Sequence, residues 1–487
     1  MSADRPWRKR QFRAVWIATV ENIDWPSTTG LSREKQQKEL IDLLDKMQAL
    51  HMNAVIVQIR PTADAFYPSS INPWSKYLTG TQGKNPGYDP LAMMIKEAHQ
   101  RNMEFHAWFN PYRVNNNTNR SSLAPNHPAR KNPHWVREYG NKLYYDPGIP
   151  EVMDHIVSSV IEVVSQYDID AVHFDDYFYP YPVQGEEFPD ESTYQKYGSS
   201  QFPSKADWRR NNVNQLIERL AKEIKQKKAH VQFGISPFGI WRNRSTDPDG
   251  SDTSGLESYD DLYADSRKWI RQKWIDYIIP QLYWYIGNKA ADYQKLADWW
   301  SREVKNNQTH LYIGHGIYRV GQSGKWSDPE EIPRQWNLNL SHPEIKGSSL
   351  FSVRNVVENP LGVTDRLKKS HLKYESLVPV MPWLGSSAPS APLLKSVTKT
   401  GDHVEMKWQD QSPIQTAYFV LYRFMDDAPH QLDQPQHILA KIRNTTSSVH
   451  SYVDRSVSMN HSYTYMVTAV NRLHHESSAS NAKKINL

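Results

Sequence analysis

The sequence predicts an α/β protein, a (β/α)8 TIM barrel followed by a small all-β domain. Three observations support this fold class. From Arg13 onward, eight short β-rich runs alternate with amphipathic helical stretches, which is typical of βα units around a parallel sheet. No glycine-rich turn follows the first run, so a closed barrel is favoured over a doubly wound open sheet. Beyond Val378 the pattern changes to short alternating strands.

The eight predicted barrel strands are short and rich in β-branched and aromatic residues. They cover residues 14–20, 54–60, 104–109, 171–174, 231–235, 277–282, 311–314 and 348–353.

The intervening helices have recognisable starts. Asp89 and Asp328 each precede a proline, and Ser204 precedes a third helix, so all three are predicted N-caps. The first helix, 32–51, places one apolar stripe against the sheet, formed by Leu40, Leu43, Leu44, Met47 and Leu50.

Three connections at the carboxyl ends of the strands are long: 110–146, 177–203 and 238–259. Loops of more than about 15 residues in compact domains are usually functional. We therefore expect these segments to form the walls of a cleft.

Residues 379–392 form a Pro/Ser-rich linker between a barrel domain, 1–378, and a C-terminal domain, 393–487. The buried Trp408 and the alternating run from Tyr463 to Val467 resemble a fibronectin type III domain, with Tyr463 in the place of its tyrosine corner. We expect this domain to be a spacer or an accessory binding module.

Composition narrows the function classes. The 58 basic and 53 acidic residues give a net charge of only +5, with no Lys/Arg block, so nucleic acid is not an expected partner. The 17 Trp, 27 Tyr and 13 Phe residues suit a carbohydrate partner, because aromatic faces pack on sugar rings while their polar edges form hydrogen bonds. Cysteine is absent, which excludes disulfides and thiolate chemistry.

The sequence leaves the compartment open. No run of about 18 apolar residues occurs, so no membrane-spanning helix is expected. The first ten residues contain no apolar core of a signal peptide. The protein is therefore expected to be either cytoplasmic or exported with its signal segment removed.

The stretch DAVHFDDYFYP, from Asp170 to Pro180, gives the strongest functional signal. An apolar strand ends there in two adjacent carboxylates, Asp175 and Asp176, which are costly to bury unless a cleft receives them. The carboxyl ends of parallel strands carry the chemistry of such barrels. Asp175 is therefore the first catalytic candidate. Both carboxylates could instead cap the next helix or form a structural pair, and Asp176 could point to the opposite face of the strand.

The other strand ends supply a polar and aromatic rim. We expect sugar hydroxyls or an acidic substituent to be held by Arg60, Asn110, Arg113, His173, Gln281, His315 and Arg354. Stacking platforms are expected from Trp25, Trp241, Tyr283 and Trp284.

This rim fits glycoside hydrolysis best, because that reaction needs one carboxylate facing the anomeric carbon and one acid assisting the leaving oxygen. Asp175 is predicted to be the nucleophile or principal carboxylate. Asp176 and Glu21 lead the candidates for the acid/base, ahead of Asp64 and the loop aspartates that follow strand five. A mechanism using a substrate N-acetyl group would need no second protein carboxylate.

Metal catalysis is the rival interpretation. His173 and Asp175 alternate on one strand, and His106 or His315 could add a third ligand. No His-Glu-x-x-His motif occurs, and no metal or cofactor is predicted. A serine nucleophile is disfavoured because no Gly-x-Ser-x-Gly elbow is present.

Six motifs resemble, in order, those of the glycosyl hydrolase-like 10 family of bacterial barrel proteins. They are FRAVWIATVENIDWP from Phe12, QIRP from Gln58, AWFNPYR from Ala107, HFDDYFYP from His173, GISPFG from Gly234 and PQLYW from Pro280. The resemblance spans the barrel and implies a cell-envelope or secreted protein acting on glycans, with peptidoglycan strands as the suspected substrate.

The stretch from Asp170 to Asp175 also resembles the strand-four motif of the α-amylase group, in which the last aspartate is the nucleophile. That group has an arginine two residues earlier, where this chain has His173. Chitinase-type barrels place an acid two residues after the aspartate, where this chain has Tyr177. A chitinase mechanism therefore does not transfer directly.

The sequence thus predicts a secreted or envelope-associated glycoside hydrolase with a glycan substrate. Two alternatives stay open: a glycan-binding barrel without catalysis, and a metal-dependent hydrolase of amide or ester groups on glycans. The oligomeric state stays open as well.

Overall fold

The computed structural model describes residues 7–445 and 447–487, so the first six residues of the predicted barrel domain lie outside the described residues. Eight parallel strands close into a barrel, as the sequence predicted. In chain order they are β1 (Phe12–Ile17), β2 (Ala54–Arg60), β3 (Glu104–Phe109), β7 (Ala171–Phe174), β8 (Gln232–Ile235), β9 (Tyr277–Ile278), β10 (His310–His315) and β11 (Ile345–Leu350).

Three strands, β1, β9 and β11, end at least three residues before their predicted bounds, and the reason is identifiable for the first two. β1 stops at Ile17 because the backbone N–H groups of Thr19 and Val20 donate to the side-chain oxygen of Gln58, each at 2.9 Å, instead of continuing the ladder. β9 stops at Ile278 because Pro280 has no N–H to donate. After Pro280, Gln281 forms isolated β-bridges with Phe238 on one side and Gly314 on the other.

Thirteen helices surround the barrel or lie in its connections. They are α1 (Arg33–Ala49), α2 (Lys76–Thr79), α3 (Pro90–Gln100), α4 (Pro128–Lys131), α5 (Pro150–Gln166), α6 (Glu191–Tyr197), α7 (Lys205–Lys227), α8 (Ser258–Asp261), α9 (Ser266–Arg271), α10 (Tyr293–Val304), α11 (Glu331–Leu340), α12 (Val353–Glu358) and α13 (Val363–Lys369) among the described residues.

The helix caps were predicted with partial success. Asp89 caps α3 and Ser204 caps α7, each accepting a hydrogen bond from a first-turn backbone N–H. The cap predicted at Asp328 was wrong, because α11 begins at Glu331. Asp328 instead accepts from the N–H of Glu330 in the turn before the helix.

The long connections carry structure of their own at the carboxyl end of the barrel. The segment 110–146 folds into a small antiparallel sheet of β4 (Arg113–Asn115), β5 (Val136–Tyr139) and β6 (Lys142–Tyr145), with β6 in the middle. The segment 177–203 contains α6.

The C-terminal residues form two antiparallel sheets. One has the order β12–β13–β16, from Leu393–Thr400, His403–Gln409 and Val449–Asp454. The other has the order β15–β14–β17–β18, from Ile438–Arg443, Tyr418–Met425, Ser462–Val470 and Lys483–Asn486. Trp408 is fully buried in the core of this all-β domain, as the sequence predicted.

The barrel interior is polar as well as aromatic. In the parallel register His173 of β7 lies beside Gly234 of β8, and Gly234 lies beside Tyr277 of β9. The ring of Tyr277 crosses over Gly234 and stacks on His173 with ring centroids 5.9 Å apart. A Cβ at position 234 would meet the Tyr277 ring at 2.0 Å, so only glycine permits this approach.

We expect Gly234→Ala to destabilise the protein by about 2 kcal/mol, because the added methyl group must displace a buried aromatic ring. The measurement is the urea midpoint of unfolding. Gly255→Ala is the matched control, since its new methyl group would meet only the end of the Ile240 side chain at 3.1 Å. Equal midpoints for the two variants would contradict the steric argument.

Candidate active site

A cavity of about 300 Å³ opens at the carboxyl ends of the barrel strands. Its lining includes both strand-four carboxylates, Asp175 and Asp176, so both face the same space. Their position follows from strand register: Phe174 of β7 pairs with Phe109 of β3 and with Ile235 of β8.

Asp175 is almost completely buried and is held by three hydrogen-bond donors. Its Oδ2 accepts from Trp108 Nε1 at 2.9 Å and from Asn110 Nδ2 at 2.6 Å, and its Oδ1 accepts from the backbone N–H of Tyr177 at 3.0 Å. Burial raises the pKa of Asp175, whereas the charge of Arg113 and these three donors oppose the rise. The donors favour the ionised form.

Asp176 has a different environment. Its Oδ1 accepts from Gln281 Nε2 at 3.0 Å, and its Oδ2 accepts from the hydroxyl of Tyr181. Burial and then the neighbouring charge of Asp175 raise the pKa of Asp176 to about 6. Of the two carboxyl groups, Asp176 is therefore the better suited to carry a proton near neutral pH.

The two environments provide the groups that acid/base catalysis needs. An ionised carboxylate can attack or stabilise positive charge, and a neighbouring acid of matched pKa can protonate a leaving oxygen. Both groups lie in one cavity, so one bound molecule can contact both.

Glu21, the other candidate acid, lies at the rim and is exposed to solvent. Its Oε1 accepts from Asn116 Nδ2 at 2.8 Å and from Tyr77 OH at 3.0 Å, and the bond from Asn116 lowers the pKa of Glu21. A lowered pKa is the opposite of what a general acid needs. Asp176 is therefore the stronger of the two candidates.

Three predicted substrate-binding residues line the cavity: Arg113, Gln281 and Tyr283. Arg113 donates its Nε–H to the carbonyl of Pro61 at 3.0 Å and lies over the ring of Tyr177 at 5.3 Å. Among the described residues, no carboxylate lies within 4.0 Å of its guanidinium group to form an ion pair.

Asn110 and His173 lie beneath the cavity and support it. The side-chain oxygen of Asn110 accepts from Gln58, while its amide nitrogen holds Asp175. The Nε2 of His173 accepts from Trp16 Nε1 at 3.3 Å and lies 3.0 Å from Ser236 Oγ. Both residues are fully buried and contact groups that line the cavity. Neither is therefore exposed to the cavity for the contact with substrate that the sequence predicted.

The buried position of Arg60 corrects its predicted contact with substrate. Its Nη1 donates to the carbonyl of Asn110 at 2.7 Å, so it fixes the backbone that carries Asn110.

His315 was also predicted at the rim but is fully buried between the rings of Tyr293 and Trp336. Its two ring nitrogens contact Gln335 and Ser348. The side chain therefore has no free nitrogen to offer a ligand.

Two tryptophans expected as stacking platforms are core residues. Trp25 is fully buried and donates its indole N–H to the carbonyl of Gln36. Trp241 stacks on Trp299 with ring centroids 5.8 Å apart. Their ring faces are covered by protein, so neither forms the predicted platform.

Trp284 and Arg354 lie outside the cavity lining. Trp284 packs edge-on against Phe238, and Arg354 is exposed near the rim, where its Nη2 lies 3.4 Å from the carbonyl of Asn22.

Sequence reasoning missed several residues that line the cavity. The base contains Trp16, Trp108 and Ser236, and the walls contain Tyr181, Tyr318 and Phe351. Trp16 shares the interior face of β1 with Phe12 and Ala14, so the period-two alternation of that strand was the signal that could have found it.

The metal-ligand set considered from the sequence does not assemble. Both ring nitrogens of His173 contact protein groups, and those of His106 contact Tyr277 OH and Glu104. In the described residues, 7–445 and 447–487, no three His, Asp or Glu side chains cluster in a way that could hold a metal ion. In the same residues no helix has the length and apolarity required to span a membrane.

Residues 11–330 match the family model described as glycosyl hydrolase-like 10. The glycosyl hydrolase YngK of Bacillus subtilis is 53% identical over 479 residues, which cover 97% of this chain and 92% of that protein. The glycosyl hydrolase DigH of Escherichia coli K12 is 47% identical over 363 residues, which cover 70% of this chain and 82% of that protein.

Among solved structures, the glycoside hydrolase domain of PgaB (BpsB) from Bordetella bronchiseptica aligns with 74% of this chain and 98% of that domain. The identity is 14% and the TM-score is 0.49.

We expect Asp176→Asn to stabilise the folded protein above pH 6 and to have a shrinking effect toward pH 4. The pKa of Asp176 is about 6 in the folded state against an ordinary 3.8, so ionisation of this group penalises folding as the pH rises through that interval. At pH 8 the gain should be about 3 kcal/mol in the free energy of unfolding.

Urea denaturation at pH 4, 6 and 8 measures this effect. Asp433→Asn is the control, because Asp433 is exposed on the C-terminal domain. A gain for Asp176→Asn that is the same at all three pH values would contradict a raised pKa at this position.

Proposed function

Because the chain belongs to the glycosyl hydrolase-like 10 family, we propose that it hydrolyses glycosidic bonds of a bacterial cell-envelope glycan with Asp175 and Asp176. The observation that carries this proposal is the pair of strand-four carboxylates in one cavity with unlike hydrogen-bond partners. Three donors hold Asp175, whereas burial and the charge of its neighbour raise the pKa of Asp176 to about 6.

The proposed reaction gives each carboxyl group one role. Ionised Asp175 faces the anomeric carbon as the positive charge of the oxocarbenium-like transition state develops there. Protonated Asp176 donates its proton to the glycosidic oxygen, so the bond to the leaving sugar breaks without forming an alkoxide. Water then supplies the hydroxyl group at the anomeric carbon, and its proton returns to Asp176.

We propose peptidoglycan glycan strands as the substrate. The aromatic base and walls, with Trp16, Tyr177 and Tyr283, suit the apolar faces of sugar rings. Arg113 brings a guanidinium group without an ion-pair partner to the cavity wall, among the described residues. Such a group suits a carboxylate on the sugar, and the lactyl group of muramic acid is a free carboxylate of this kind where no stem peptide is attached to it.

We also propose that the C-terminal domain, 393–487, is of the fibronectin type III kind and that residues 379–392 link it to the barrel domain, 1–378. Sheets of three and four strands with Greek-key order support this assignment. The hydroxyl of Tyr463 lies 2.9 Å from the backbone nitrogen of Ser458, five residues upstream, which fits a tyrosine corner. A substrate in the cell envelope requires a location there, so we propose an exported or envelope-associated protein.

We expect the wild-type protein to shorten purified peptidoglycan glycan strands, and Asp175→Asn to reduce kcat by about 10³-fold or more, because the principal carboxylate is removed. Mass spectrometry of the products measures this loss. Glu21→Gln is the matched control at the rim, and its activity should stay within about tenfold of wild type.

Strands left intact by the wild-type protein would refute the hydrolase proposal for this substrate. Binding without cleavage by both proteins would favour the glycan-binding alternative. Release of acetyl groups without chain cleavage would favour a hydrolase of glycan substituents.

We expect Tyr181→Phe to move the basic limb of the pH profile of kcat/KM to higher pH. The hydroxyl of Tyr181 donates to Asp176 and thereby lowers its pKa, so its removal lets the acid stay protonated further into the alkaline range. In the wild-type protein this limb should lie near pH 6. Its midpoint is an apparent pKa of the two coupled carboxyl groups together.

Tyr318→Phe is the control, because Tyr318 also lines the cavity and lacks this hydrogen bond. A limb that moves equally in both variants, or downward in Tyr181→Phe, would count against Asp176 as the proton donor.

A further inference from the structure

An unbroken series of hydrogen bonds leads away from the base of the cavity into the barrel interior. Trp16 Nε1 and Ser236 Oγ both contact Nε2 of His173. The Nδ1 of His173 lies 2.9 Å from the hydroxyl of Tyr277, which in turn lies 2.8 Å from Nδ1 of His106. The Nε2 of His106 lies 2.7 Å from Oε2 of Glu104.

The chemistry of the groups fixes the direction of every bond. An indole N–H can only donate, so Nε2 of His173 accepts and the proton of the neutral ring is on Nδ1. The hydroxyl oxygen of Tyr277 accepts the hydrogen bond from this N–H group, so the hydroxyl group donates its own hydrogen bond to Nδ1 of His106. His106 then carries its proton on Nε2 and donates it to Glu104. The series runs one way and ends on a carboxylate.

That carboxylate is held by one further barrel residue and by one residue of the all-β domain. Its Oε1 accepts from Gln232 Nε2 at 2.9 Å and lies 2.8 Å from Nε2 of His474, a residue of the all-β domain. Burial alone would raise the pKa of Glu104, but the hydrogen bonds from His106 and His474 lower it to about 2. Glu104 is therefore an ionised, buried acceptor.

His474 occupies its place at a conformational cost. It follows β17 in a turn and has a φ of 67°, in the left-handed region that glycine and asparagine favour. Its other ring nitrogen lies 3.0 Å from the hydroxyl of Tyr418, so both nitrogens are used. A bulky side chain in such a turn is best explained by the contact that it makes with Glu104.

We propose that the all-β domain is a working part of the candidate active site, and that His474 is a positioning residue which acts through Glu104 on Trp16 and Ser236. By donating to Glu104, His474 fixes the acceptor that sets the tautomers of His106 and His173. The tautomer of His173 then sets the orientation of the two groups at the base of the cavity. The inference rests on the proposed function only where turnover is measured.

Loss of the His474 contact has a definite consequence. With Glu104 turned away or solvated, His106 can carry its proton on Nδ1, where it opposes the hydroxyl proton of Tyr277. Tyr277 then donates to His173, whose proton moves to Nε2 and faces the indole N–H of Trp16. Two donors cannot share this contact, so the indole must leave its place.

Three variants of the full chain test the proposal. His474→Gly relieves the backbone conformation and removes the donor, whereas His474→Gln keeps a donor at a similar reach. Arg472→Gln is the matched control, because Arg472 crosses the same interface to Asp168 at 2.8 Å and lies outside the hydrogen-bond series. Thermal unfolding of each variant establishes that it is folded.

The first readout needs no activity. In protein labelled with ¹⁵N-histidine, NMR chemical shifts distinguish a ring protonated on Nδ1 from one protonated on Nε2. We expect His173 and His106 to show these opposite tautomers in the wild type, in Arg472→Gln and in His474→Gln, and to lose them in His474→Gly. Unchanged signals in His474→Gly would overturn the proposal, even if the protein proved to have no glycosidase activity.

The second readout is kinetic. We expect His474→Gly to lower kcat/KM on glycan strands by about tenfold, mainly through KM, because the sugar-facing base of the cavity is displaced. His474→Gln and Arg472→Gln should stay near wild type. A His474→Gly protein that is more stable and fully active would mean that the residue is only a turn residue and would refute the inference.

Discussion

Burial of two adjacent carboxyl groups in one cavity is the constraint on which the carboxyl end of the barrel depends. Removal from water disfavours the charged form of each group, and their proximity disfavours charging both. The two carboxyl groups have different environments. Asp175 accepts hydrogen bonds from Trp108, Asn110 and the backbone of Tyr177. Burial and the neighbouring charge raise the pKa of Asp176 to about 6. This inequality allows one group to be ionised while the other keeps a proton.

The hydrogen-bond network that holds Asp175 includes residues behind the cavity. Asn110 holds the carboxylate, Gln58 holds the side-chain oxygen of Asn110, and Arg60 holds its backbone carbonyl. Gln58 also receives the N–H groups of Thr19 and Val20, and so joins the end of β1 to the same network. Side chains that do not line the cavity, such as Asn110 and Arg60, thereby fix donors in the orientation that a developing charge requires, which is the usual physical basis of electrostatic preorganisation.

The sequence predicted the features that depend on periodicity and failed on those that depend on local chain direction. Alternating strands and helices predicted the barrel, and the shared edge of parallel strands predicted that Asp175, Arg113 and Gln281 would meet. Trp25 and Trp241 lie several residues beyond a strand end, where neither the period of a strand nor that of a helix indicates which way a side chain points. Burial there is decided by contacts between distant segments, so these two aromatic residues joined the core.

The polar barrel interior imposes a second requirement at the opposite end of the barrel. Parallel barrels usually fill their interior with branched apolar side chains, whereas here His106, His173 and Tyr277 occupy interior positions. A one-way series of hydrogen bonds needs an acceptor at its end, and a buried carboxylate such as Glu104 needs further donors of its own. One of these donors belongs to a turn of the all-β domain, beyond a Pro/Ser-rich segment that marks a domain boundary by composition. Composition therefore predicts a boundary between two units that buried hydrogen bonds connect. Neither hydrophobic periodicity nor turn chemistry predicts that a histidine in a left-handed turn donates to a buried carboxylate of another domain.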